Sequence, residues 1–235
     1  MSHVELYYVA PQYIRNDTLR LTGDEYIHAV KVMRKRRKSP IVVVDGEGKR
    51  YEGIIESLDE REALVSVSRV KSGVNEPSLS LTLAQAVPKS MLFEWVLEKG
   101  TEIGIDRFIP MLCERSVKQP SGRKERWQKK VIGAMKQSGR CRCPQVQAVC
   151  SFEQVLKRIQ DEEVYIAHPG EGKMVKPESR SVLLLVGPEG GFTDRELDLA
   201  RQKGARILDL GRRRLRSETA GIVAAAKLFI AGGEI

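Results

Sequence analysis

The most distinctive short motif of the chain is the loop Gly187-Pro188-Glu189-Gly190-Gly191, which directly follows an apolar segment, Ser181–Val186. Glycines at the carboxyl end of a strand allow a ligand to approach the backbone closely, and open α/β sheets bind ligands at that edge. The loop matches neither G-x-G-x-x-G nor G-x-x-x-x-G-K-[ST], so it is neither a dinucleotide fingerprint nor a P-loop. The alternative is that this segment is an ordinary tight loop between a strand and a helix. Because the carboxylate of Glu189 would repel a phosphate, a phosphate is not the ligand that this loop suggests.

A second glycine-bearing segment lies further along the chain. The predicted strand Ala205–Leu210 ends at Gly211, and a basic loop, Arg212–Arg216, leads into a predicted helix over Ser217–Ala231. We expect Ser217 to cap this helix. Almost all of its residues are small or apolar, which predicts burial on most sides. If the two glycine-bearing strands are neighbours in one sheet, their loops form a single pocket.

The elements that must position these loops follow two patterns, separated by a polar linker at Lys71–Pro77. Residues 1–72 read as a small β-barrel, with strands at Glu5–Val9, Pro40–Asp45, Tyr51–Leu58 and Ala63–Val70 and a helix over Gly23–Arg34. Residues 79–235 alternate apolar strands with helices, which indicates an α/β fold with a buried parallel sheet. Its predicted strands are Leu79–Val87, Arg107–Leu112, Gln145–Val149, Val164–Ala167, Ser181–Val186 and Ala205–Leu210. Its predicted helices are Ser90–Gly104, Arg123–Ser138, Ser151–Ile159, Thr193–Lys203 and Ser217–Ala231.

Composition and charge restrict the class of protein. The 235 residues include 40 Lys and Arg against 31 Asp and Glu, a formal net charge of +9, and 41% are hydrophobic. That apolar fraction excludes an intrinsically disordered chain, and no apolar run predicts a membrane helix. Residues 73–150 hold 13 basic and 7 acidic residues, which favours an anionic partner such as a nucleic acid over a merely solvated surface. The first residues lack a signal-peptide pattern, so we expect a cytoplasmic protein.

The cysteines and histidines do not predict a metal site. The spacing of Cys113, Cys141, Cys143 and Cys150 is not that of zinc ligands, and the three histidines are scattered. We therefore expect reduced, structural thiols and no metal.

Several motifs together resemble one protein family. They are Gly187–Gly191 and Leu210-Gly211 with Leu215-Arg216-Ser217-Glu218-Thr219-Ala220, supported by Lys99–Gly104, Glu114–Ser116 and Gln137–Arg140 followed by Pro144. They resemble the knotted SPOUT methyltransferases, specifically the branch that methylates N3 of a uracil in 16S ribosomal RNA of the small subunit. The resemblance covers nearly the whole chain. It implies an RNA-binding PUA-like β-barrel at 1–72, a SPOUT domain with a deep C-terminal trefoil knot at 79–235, and a homodimer.

The resemblance also implies S-adenosylmethionine as the cofactor, bound in the knot mainly by backbone groups, and 16S ribosomal RNA or the small ribosomal subunit as the partner. The residues carried over to the cofactor pocket are Ala167, His168, Val186, Gly187, Pro188, Glu189, Gly190, Gly191, Leu208, Leu210, Gly211, Leu215, Arg216 and Thr219.

The chain departs from the family pattern at several positions. Arg212-Arg213-Arg214 stands where the family usually has Pro-Arg-Ile or Pro-Arg-Val, and Lys136 where a glutamate is common. Leu6 lies near the usual place of an arginine, and Lys35-Arg36-Arg37 replaces a short glycine-containing turn. These departures motivate an alternative function, a non-catalytic RNA-binding or ribosome-assembly factor with a decayed SPOUT domain. A hydrolase or nucleotide transferase is a third hypothesis, which no catalytic triad, metal cluster or P-loop supports.

Methyl transfer to N3 of uracil has definite chemical requirements. The target must be unpaired or flipped, because N3 lies on the Watson–Crick edge. Its proton needs an acceptor, and the charge that develops on the two carbonyl oxygens needs a cation or N–H donors. We expect the cations to be Arg115, Arg140 and Arg216, and the proton acceptor to be Glu189 or Glu102. The alternatives are that Glu102 belongs to an acidic helix stripe that is either solvated or paired with the basic helix, and that Arg216 binds a phosphate or caps a carbonyl.

Two basic segments are candidates for contacts to RNA phosphates. The residues are Arg34, Lys35, Arg36, Arg37 and Lys38 in the first domain, and Arg123, Lys124, Arg126 and Lys130 on the predicted helix Arg123–Ser138. Exposed turns are the alternative for the first segment. Trp127 is the one aromatic residue of the second segment, which is too few for a base-stacking platform.

Overall fold

The computed structural model of the chain describes residues 4–88, 92–116, 124–169 and 176–235, with the side chain of Lys124 left out. Contacts divide the chain into two compact units. The first unit contains residues 1–76 and Ile132–Cys143, and the second contains Pro77–Val131 and Pro144–Ile235. The main boundary lies inside the predicted linker, and the segment Ile132–Cys143 joins the first unit because its apolar side chains pack there. Met135 and Cys141 of this segment form a buried cluster with Leu6 and Val44.

The first unit is built around a six-stranded sheet in the order β1-β4-β5-β6-β3-β2, in which β1 and β4 are parallel and the other pairs antiparallel. The strands are β1 Leu6–Tyr8, β2 Ile14–Arg15, β3 Thr18–Thr22, β4 Pro40–Val44, β5 Lys49–Leu58 and β6 Glu62–Ser72. Alternate residues of these strands point into one buried core, which includes Tyr7, Leu21, Val43, Ile55 and Val65.

The four strands predicted for this part of the chain are confirmed, but β2 and β3 were not predicted. The predicted helix Gly23–Arg34 is shorter than expected. It consists of α1 Gly23–Ile27 and a π-helical turn, His28–Val32, and it ends before Arg34, which has a left-handed backbone with φ +54°. A π-helical turn accommodates the same apolar spacing over a few residues, so periodicity alone did not distinguish the two.

The second unit contains the predicted parallel sheet, whose strand order is β10-β8-β7-β12-β11-β13, with β9 also paired to β8. All of its strand pairs are parallel. The strands are β7 Ser80–Ala86, β8 Arg107–Leu112, β9 Gln145–Val146, β10 Cys150–Ser151, β11 Glu163–Ala167, β12 Ser181–Val186 and β13 Arg206–Leu208. The helices of this unit are α2 Leu92–Ile103, the first half of α3 Lys124–Ser138, α4 Phe152–Lys157, α5 Asp194–Gln202 and α6 Ser217–Gly232. The second half of α3, from Ile132, belongs to the first unit.

Near-continuous apolar strands form the centre of this sheet, as the pattern predicts. The side chains of β12 are buried from Val182 through Val186, and α2 packs against α6 beside the central strands. A capping box begins α5, because Thr193 accepts from the backbone of Glu196 and the Glu196 carboxylate accepts from the backbone of Thr193. The predicted strand Gln145–Val149 is shorter than expected, because β9 ends at Val146; β10 begins at Cys150, just beyond the predicted end.

The first residue of α6 differs from its predicted role. Arg216 is the N-cap residue without a side-chain capping bond, and the hydroxyl of Ser217 is used in a tertiary hydrogen bond. The helix is also less enclosed than its composition predicts. One face, with Gly221, Ala225 and Phe229, is buried, and Ile230 on another face is 57% exposed. Among the described residues, none of the helices is long and apolar enough to span a membrane.

Candidate functional site

Three neighbouring strands of the second unit end at the same edge of the sheet. Ala167, the last residue of β11, is in register with Val186 at the end of β12 and with Leu208 at the end of β13. The loops that follow these strands enclose one cavity of about 300 Å³. The two glycine-bearing strands are therefore not direct neighbours, because β11 lies between them. Their loops nevertheless form the single pocket that the sequence predicts.

Most of the predicted cofactor residues line this cavity. They are Ala167, His168, Val186, Gly187, Pro188, Glu189, Gly190, Gly191, Leu210, Gly211 and Leu215. Three do not line it: Leu208 is buried in the apolar core, Arg216 precedes α6, and Thr219 lies half-buried on α6. The cavity also includes Arg115, Pro169, Phe192, Asp209, Arg213, Arg214, Ser217 and Ala220. Apart from Arg115, these residues flank the predicted ones in the chain, and proximity in sequence is the signal that could have found them.

The glycine loop is tightly folded and requires glycine at two positions. A Cβ atom on Gly187 would lie 3.1 Å from the ring of Phe192, closer than ordinary van der Waals contact. Gly191 has a left-handed backbone with φ +70°, and its N–H donates to the carbonyl of Pro188 at 2.8 Å. Side chains at these positions would distort the loop, so the glycines expose its backbone to the cavity.

Two arginines hold this glycine loop by its carbonyl oxygens. Nη1 of Arg115 donates to the carbonyls of Gly190 at 2.9 Å and Phe192 at 3.2 Å. Nη2 of Arg214, from the loop before α6, donates to the carbonyl of Glu189 at 3.2 Å. Guanidinium groups thus connect the loop after β12 with the segment after β8 and with the loop after β13.

A buried hydrogen-bond chain forms the floor beneath the cavity. The hydroxyl of Ser217 donates to the carbonyl of Gly187 at 2.6 Å, and Nε2 of Gln85 on β7 donates to that hydroxyl at 2.8 Å. Both side chains are buried, Gln85 completely. These two hydrogen bonds fix the start of α6 against the end of β12. Gln85 was not among the predicted site residues, because only the position of β7 beside β12 gives it this role.

The loop after β13 is held in a similar way. Lys227 of α6 donates to the carbonyl of Asp209 at 2.7 Å, and the Asp209 carboxylate accepts from the backbone N–H of Gly211 at 3.2 Å. Gly211 has φ +99°, a conformation that favours glycine.

The five predicted catalytic residues do not converge on one site. Arg115 and Glu189 line the cavity, and Arg216 follows Leu215 at its edge. Glu102 lies on α2, where its carboxylate is paired with Lys99 at 2.8 Å, and it does not line the cavity. The partner of Glu102 thus lies on its own helix, whereas Glu94 and Glu98 of the same acidic stripe pair with Arg126 and Lys130 of the basic helix.

Arg140 belongs to the first compact unit, whereas the cavity belongs to the second. Its side chain is 2% exposed, and Nε and Nη2 bind the Glu76 carboxylate at 3.0 and 2.7 Å. The same carboxylate accepts from the backbone of Cys141 and Arg142, each at 2.8 Å. The geometry therefore gives Arg140 a structural partner within its own unit, and this pair orders the turn after α3.

The two basic segments differ in how their charges are used. In the first, Arg34, Arg36, Arg37 and Lys38 are exposed, whereas Lys35 donates to the carbonyl of Pro40 at 2.6 Å. In the second, Arg126 pairs with Glu94 and Lys130 with Glu98, both at 2.9 Å. Hydrogen bonds from Lys130 and Lys99 lower the pKa of Glu98. Arg123 and the side chain of Lys124 lie outside the described residues, and Trp127 is buried against Phe93.

Comparison with known proteins identifies the family. The chain matches a family model described as an RNA methyltransferase domain over residues 75–229, and a model described as an RNA methyltransferase PUA domain over residues 21–68. The chain belongs to this family of RNA methyltransferases. The expected PUA-like part of the fold is confirmed, and its match lies within the predicted first domain.

Relatives of known name agree with this family. The chain is 34% identical to ribosomal RNA small subunit methyltransferase E of Synechocystis over 230 residues, covering 94% of this chain and 75% of the relative. It is 31% identical to the Bacillus subtilis protein of that name over 224 residues, with 88% of each chain covered.

Solved structures of this family superpose over the whole fold. The ribosomal RNA small subunit methyltransferase E from Neisseria gonorrhoeae, bound to S-adenosyl methionine, aligns with a TM-score of 0.88 at 28% identity, covering 97% of this chain and 98% of its own. A putative methyltransferase from Legionella pneumophila in complex with the same cofactor aligns with a TM-score of 0.84, again at 28% identity and the same coverage.

Proposed function

We propose that this protein is an S-adenosylmethionine-dependent ribosomal RNA methyltransferase that modifies N3 of one uridine in 16S ribosomal RNA. The observation that carries the proposal is the cavity at the ends of β11, β12 and β13, which is formed by the two glycine-bearing loops. A related structure of the same family holds S-adenosyl methionine. The intact loops give no support to a decayed, non-catalytic domain.

The residues of the cavity fit this cofactor. Glycines at Gly187, Gly190 and Gly211 leave backbone groups accessible, and Ala167, Pro188 and Leu215 add apolar surface. The carboxylate of Glu189 is compatible with a cation and unfavourable to a phosphate. When bound, S-adenosylmethionine supplies a methyl group on a cationic sulfur. A cavity of about 300 Å³ is at the lower end of the range for small-molecule sites.

The geometry selects among the proposed catalytic groups. Glu189 is the proton acceptor that we favour, because this residue lines the cavity, whereas Glu102 does not line it and is paired with Lys99. Arg115 and Arg216 are the cations proposed to stabilise charge on the uracil oxygens. Arg115 is already oriented by its bonds to the carbonyls of Gly190 and Phe192.

Comparing two glutamine variants tests this assignment. We expect Glu189→Gln to lower kcat for methyl transfer to ribosomal RNA by about 100-fold, since a positioned base contributes roughly that much, with little change in cofactor affinity by calorimetry. Glu102→Gln should change kcat by less than about twofold, because Glu102 binds only Lys99 among the described residues. Equal losses in both variants would contradict the assignment. A wild-type protein that releases no heat with S-adenosylmethionine would contradict the function itself.

We also propose that the first unit binds ribosomal RNA through Arg34, Arg36, Arg37 and Lys38. These residues follow one another closely in an exposed turn, and Lys38, like Arg34, has a left-handed backbone, with φ +69°. A turn held in such a conformation presents its cations in a fixed arrangement. Arg36→Gln with Arg37→Gln should weaken RNA binding and reduce its salt dependence. Unchanged binding would exclude this surface. Arg126 and Lys130 are weaker candidates, because their charges are matched by Glu94 and Glu98.

A homodimer and a trefoil knot complete the proposal, together with a place in the cytoplasm, where the small subunit is assembled. The half-exposed apolar side chains Ile222 and Val223, with the exposed Ile230, form a face of α6 that a second copy would cover. Light scattering should give twice the chain mass of 26.4 kDa, and Ile230→Glu should shift the mass toward the monomer. A monomeric wild-type protein would refute the dimer.

A further inference from the structure

The loop between β13 and α6 contains four arginines in five positions, Arg212, Arg213, Arg214 and Arg216. All four side chains are exposed. Like charges at this density repel one another, so the loop gains stability from any anion that lies between them. The chain has this charge at two positions, Arg212 and Arg214, where the family pattern has proline and a branched apolar residue.

The four arginines are used differently in the structure. Arg214 donates to the carbonyl of Glu189 and so connects the loop to the rim of the cavity. The side chains of Arg212 and Arg213 make no hydrogen bond or ion pair with any residue in the described part of the chain. Arg213 lines the cavity, whereas Arg212 does not. The side chain of Arg216 likewise makes no hydrogen bond or ion pair among the described residues, and it is proposed above to act on the uracil oxygens. This leaves Arg213 at the cavity and Arg212 beside it as two further unmatched guanidinium groups.

The nearby carboxylates do not neutralise these two cations. Glu189 and Asp209 are the acidic residues among those lining the cavity, and Asp209 is engaged by the backbone N–H of Gly211. An anion that reached both arginines would extend from the cavity onto the outer surface. A linear chain of phosphates has this shape, and guanidinium groups bind phosphate with paired hydrogen bonds.

We propose that Arg212 and Arg213 bind two backbone phosphates of the RNA strand next to the nucleotide that enters the cavity. Arg214 positions them by fixing the loop to the carbonyl of Glu189. The inference rests on the proposed function, because an RNA substrate brings the phosphates to this rim. Phosphate contacts of this kind set the register of the strand and do not read its bases.

Fluorescence anisotropy with a single-stranded ribo-oligonucleotide centred on uridine tests the proposal. The variant Arg212→Gln with Arg213→Gln should weaken binding by about tenfold or more at 50 mM salt. It should also reduce the slope of log Kd against log salt by about 1.4, or about 0.7 for each lost contact to a single strand. The matched control is Arg201→Gln with Lys203→Gln, which removes two charges at the exposed end of α5, where Arg201 pairs with Asp198. Equal effects in the two double variants would overturn the proposal.

Two further binding measurements test whether the RNA backbone phosphates are the groups that Arg212 and Arg213 bind. An abasic oligomer of equal length retains the phosphates, so the variant should lose affinity for it by the same factor. A loss confined to oligomers with bases would overturn the phosphate assignment. Inorganic phosphate at millimolar concentration should compete poorly, because it offers one anion to two sites; full competition would show a site for a free anion and contradict the proposal. Arg212→Lys with Arg213→Lys should restore the salt slope.

These results are distinguishable from a failure of the proposed function. The anisotropy experiment contains no cofactor, so it reports on the arginines alone. If the double variant shows the predicted reduction in salt slope but the wild-type protein neither binds S-adenosylmethionine nor transfers a methyl group, the proposed function is wrong and the phosphate site stands. If it transfers methyl groups and the double variant retains its RNA affinity, the phosphate site is wrong. Unfolding of both double variants in urea checks that the fold is retained.

Discussion

The loops at the two ends of the parallel sheet in the second unit are held by different sets of side chains. At the carboxyl end, donors bind loop carbonyls: Ser217 binds Gly187, Arg115 binds Gly190, and Arg214 binds Glu189. At the amino end, carboxylates accept from loop N–H groups. Glu163 accepts from the backbone of Glu178 and Ser179, and Glu234 accepts from that of Ser78 and Leu79.

The difference follows from the direction of the backbone. Loops that enter parallel strands leave N–H groups unpaired, and loops that leave the strands have free carbonyls, so acceptors are needed at the amino end and donors at the carboxyl end. Carboxylates at the amino end make it sensitive to acid, whereas arginine and hydroxyl donors do not titrate near neutral pH. The end that carries the cavity combines both kinds of partner, because the carboxylates of Asp209 and Glu196 also accept from loop N–H groups there.

The pKa values at the amino end show this sensitivity. Burial alone would raise the pKa of Glu163, but hydrogen bonds from Tyr165, from the backbone of Ser179 and Glu178, and the charge of Arg206 together lower it. Burial, and then the bond to Glu163, raises the pKa of Tyr165 to about 12. For Glu234, the hydrogen bond from the hydroxyl of Ser78 is the largest cause of a lowered pKa.

The largest expected effect is at the carboxyl end, where Gly221 of α6 contacts Gln85. In Gly221→Ala the new Cβ would lie 2.2 Å from Oε1 of the buried Gln85. We expect the free energy of unfolding in urea to fall by about 3 kcal/mol, at the upper end for overpacking. The control Gly133→Ala, in α3 with no heavy atom within 4 Å, should stabilise by about 1 kcal/mol. A Gly221→Ala protein as stable as wild type would show that the carboxyl end is loosely packed.

Next in size is Glu163→Gln at the amino end. Loss of the ionised acceptor should cost about 2 kcal/mol at pH 7, because its partners include Arg206 at 2.7 Å. A lowered native pKa means that this contribution is complete above the unfolded value of about 4.3 and is lost as the pH falls through the native value. The difference between wild type and variant should therefore shrink below about pH 4. Glu178→Gln, whose side chain is 79% exposed, serves as control. A difference that does not change with pH would contradict this assignment.

A smaller effect is expected for Ser217→Ala at the floor of the cavity. The substitution removes the hydroxyl between Gln85 and the carbonyl of Gly187, and we expect a loss of about 1 kcal/mol in unfolding free energy. The affinity for S-adenosylmethionine should fall several-fold by calorimetry, because the glycine loop loses its support. Ser217→Thr keeps a hydroxyl and should recover most of that affinity. Equal cofactor affinity in wild type and the alanine variant would show that this bond is only structural.

The smallest change is expected for Arg214→Ile. Its bond to the Glu189 carbonyl is exposed and 3.2 Å long, so unfolding free energy should change by less than about 0.5 kcal/mol. Urea unfolding measures this directly. A larger loss would show that the arginine loop stabilises the carboxyl end as strongly as the buried bonds do.

The sequence predicted the parts of the site that local pattern encodes. Gly187–Gly191 and Gly211 follow apolar strands, and a glycine directly after an apolar run can be recognised from the sequence alone. The order of the strands is set by packing across the sheet, so the place of β11 between the two loops and the contact of Gln85 with Ser217 could not be read from spacing. Arg140 was recognised as a candidate from its motif. Its partner Glu76 lies 64 residues away in the chain, so the ion pair between them could not be predicted from local spacing.

Some features were present in the sequence but not used. The segment Thr18–Thr22 alternates polar and apolar residues, which is the pattern of a half-buried strand, and β3 occupies it. By contrast, the π-helical turn at His28–Val32 has the same apolar spacing as an α-helix over its short length.

Mapping methyl groups on small-subunit RNA by mass spectrometry tests most directly whether the cavity at the carboxyl end of the sheet transfers a methyl group to ribosomal RNA. RNA from a strain lacking this protein is compared before and after incubation with the purified protein and S-adenosylmethionine. We predict that one uridine lacks a methyl group at N3 in the strain, that wild-type protein restores it, and that Glu189→Gln does not. An unchanged modification map, or a methyl group placed on another base, would contradict the function proposed for this site.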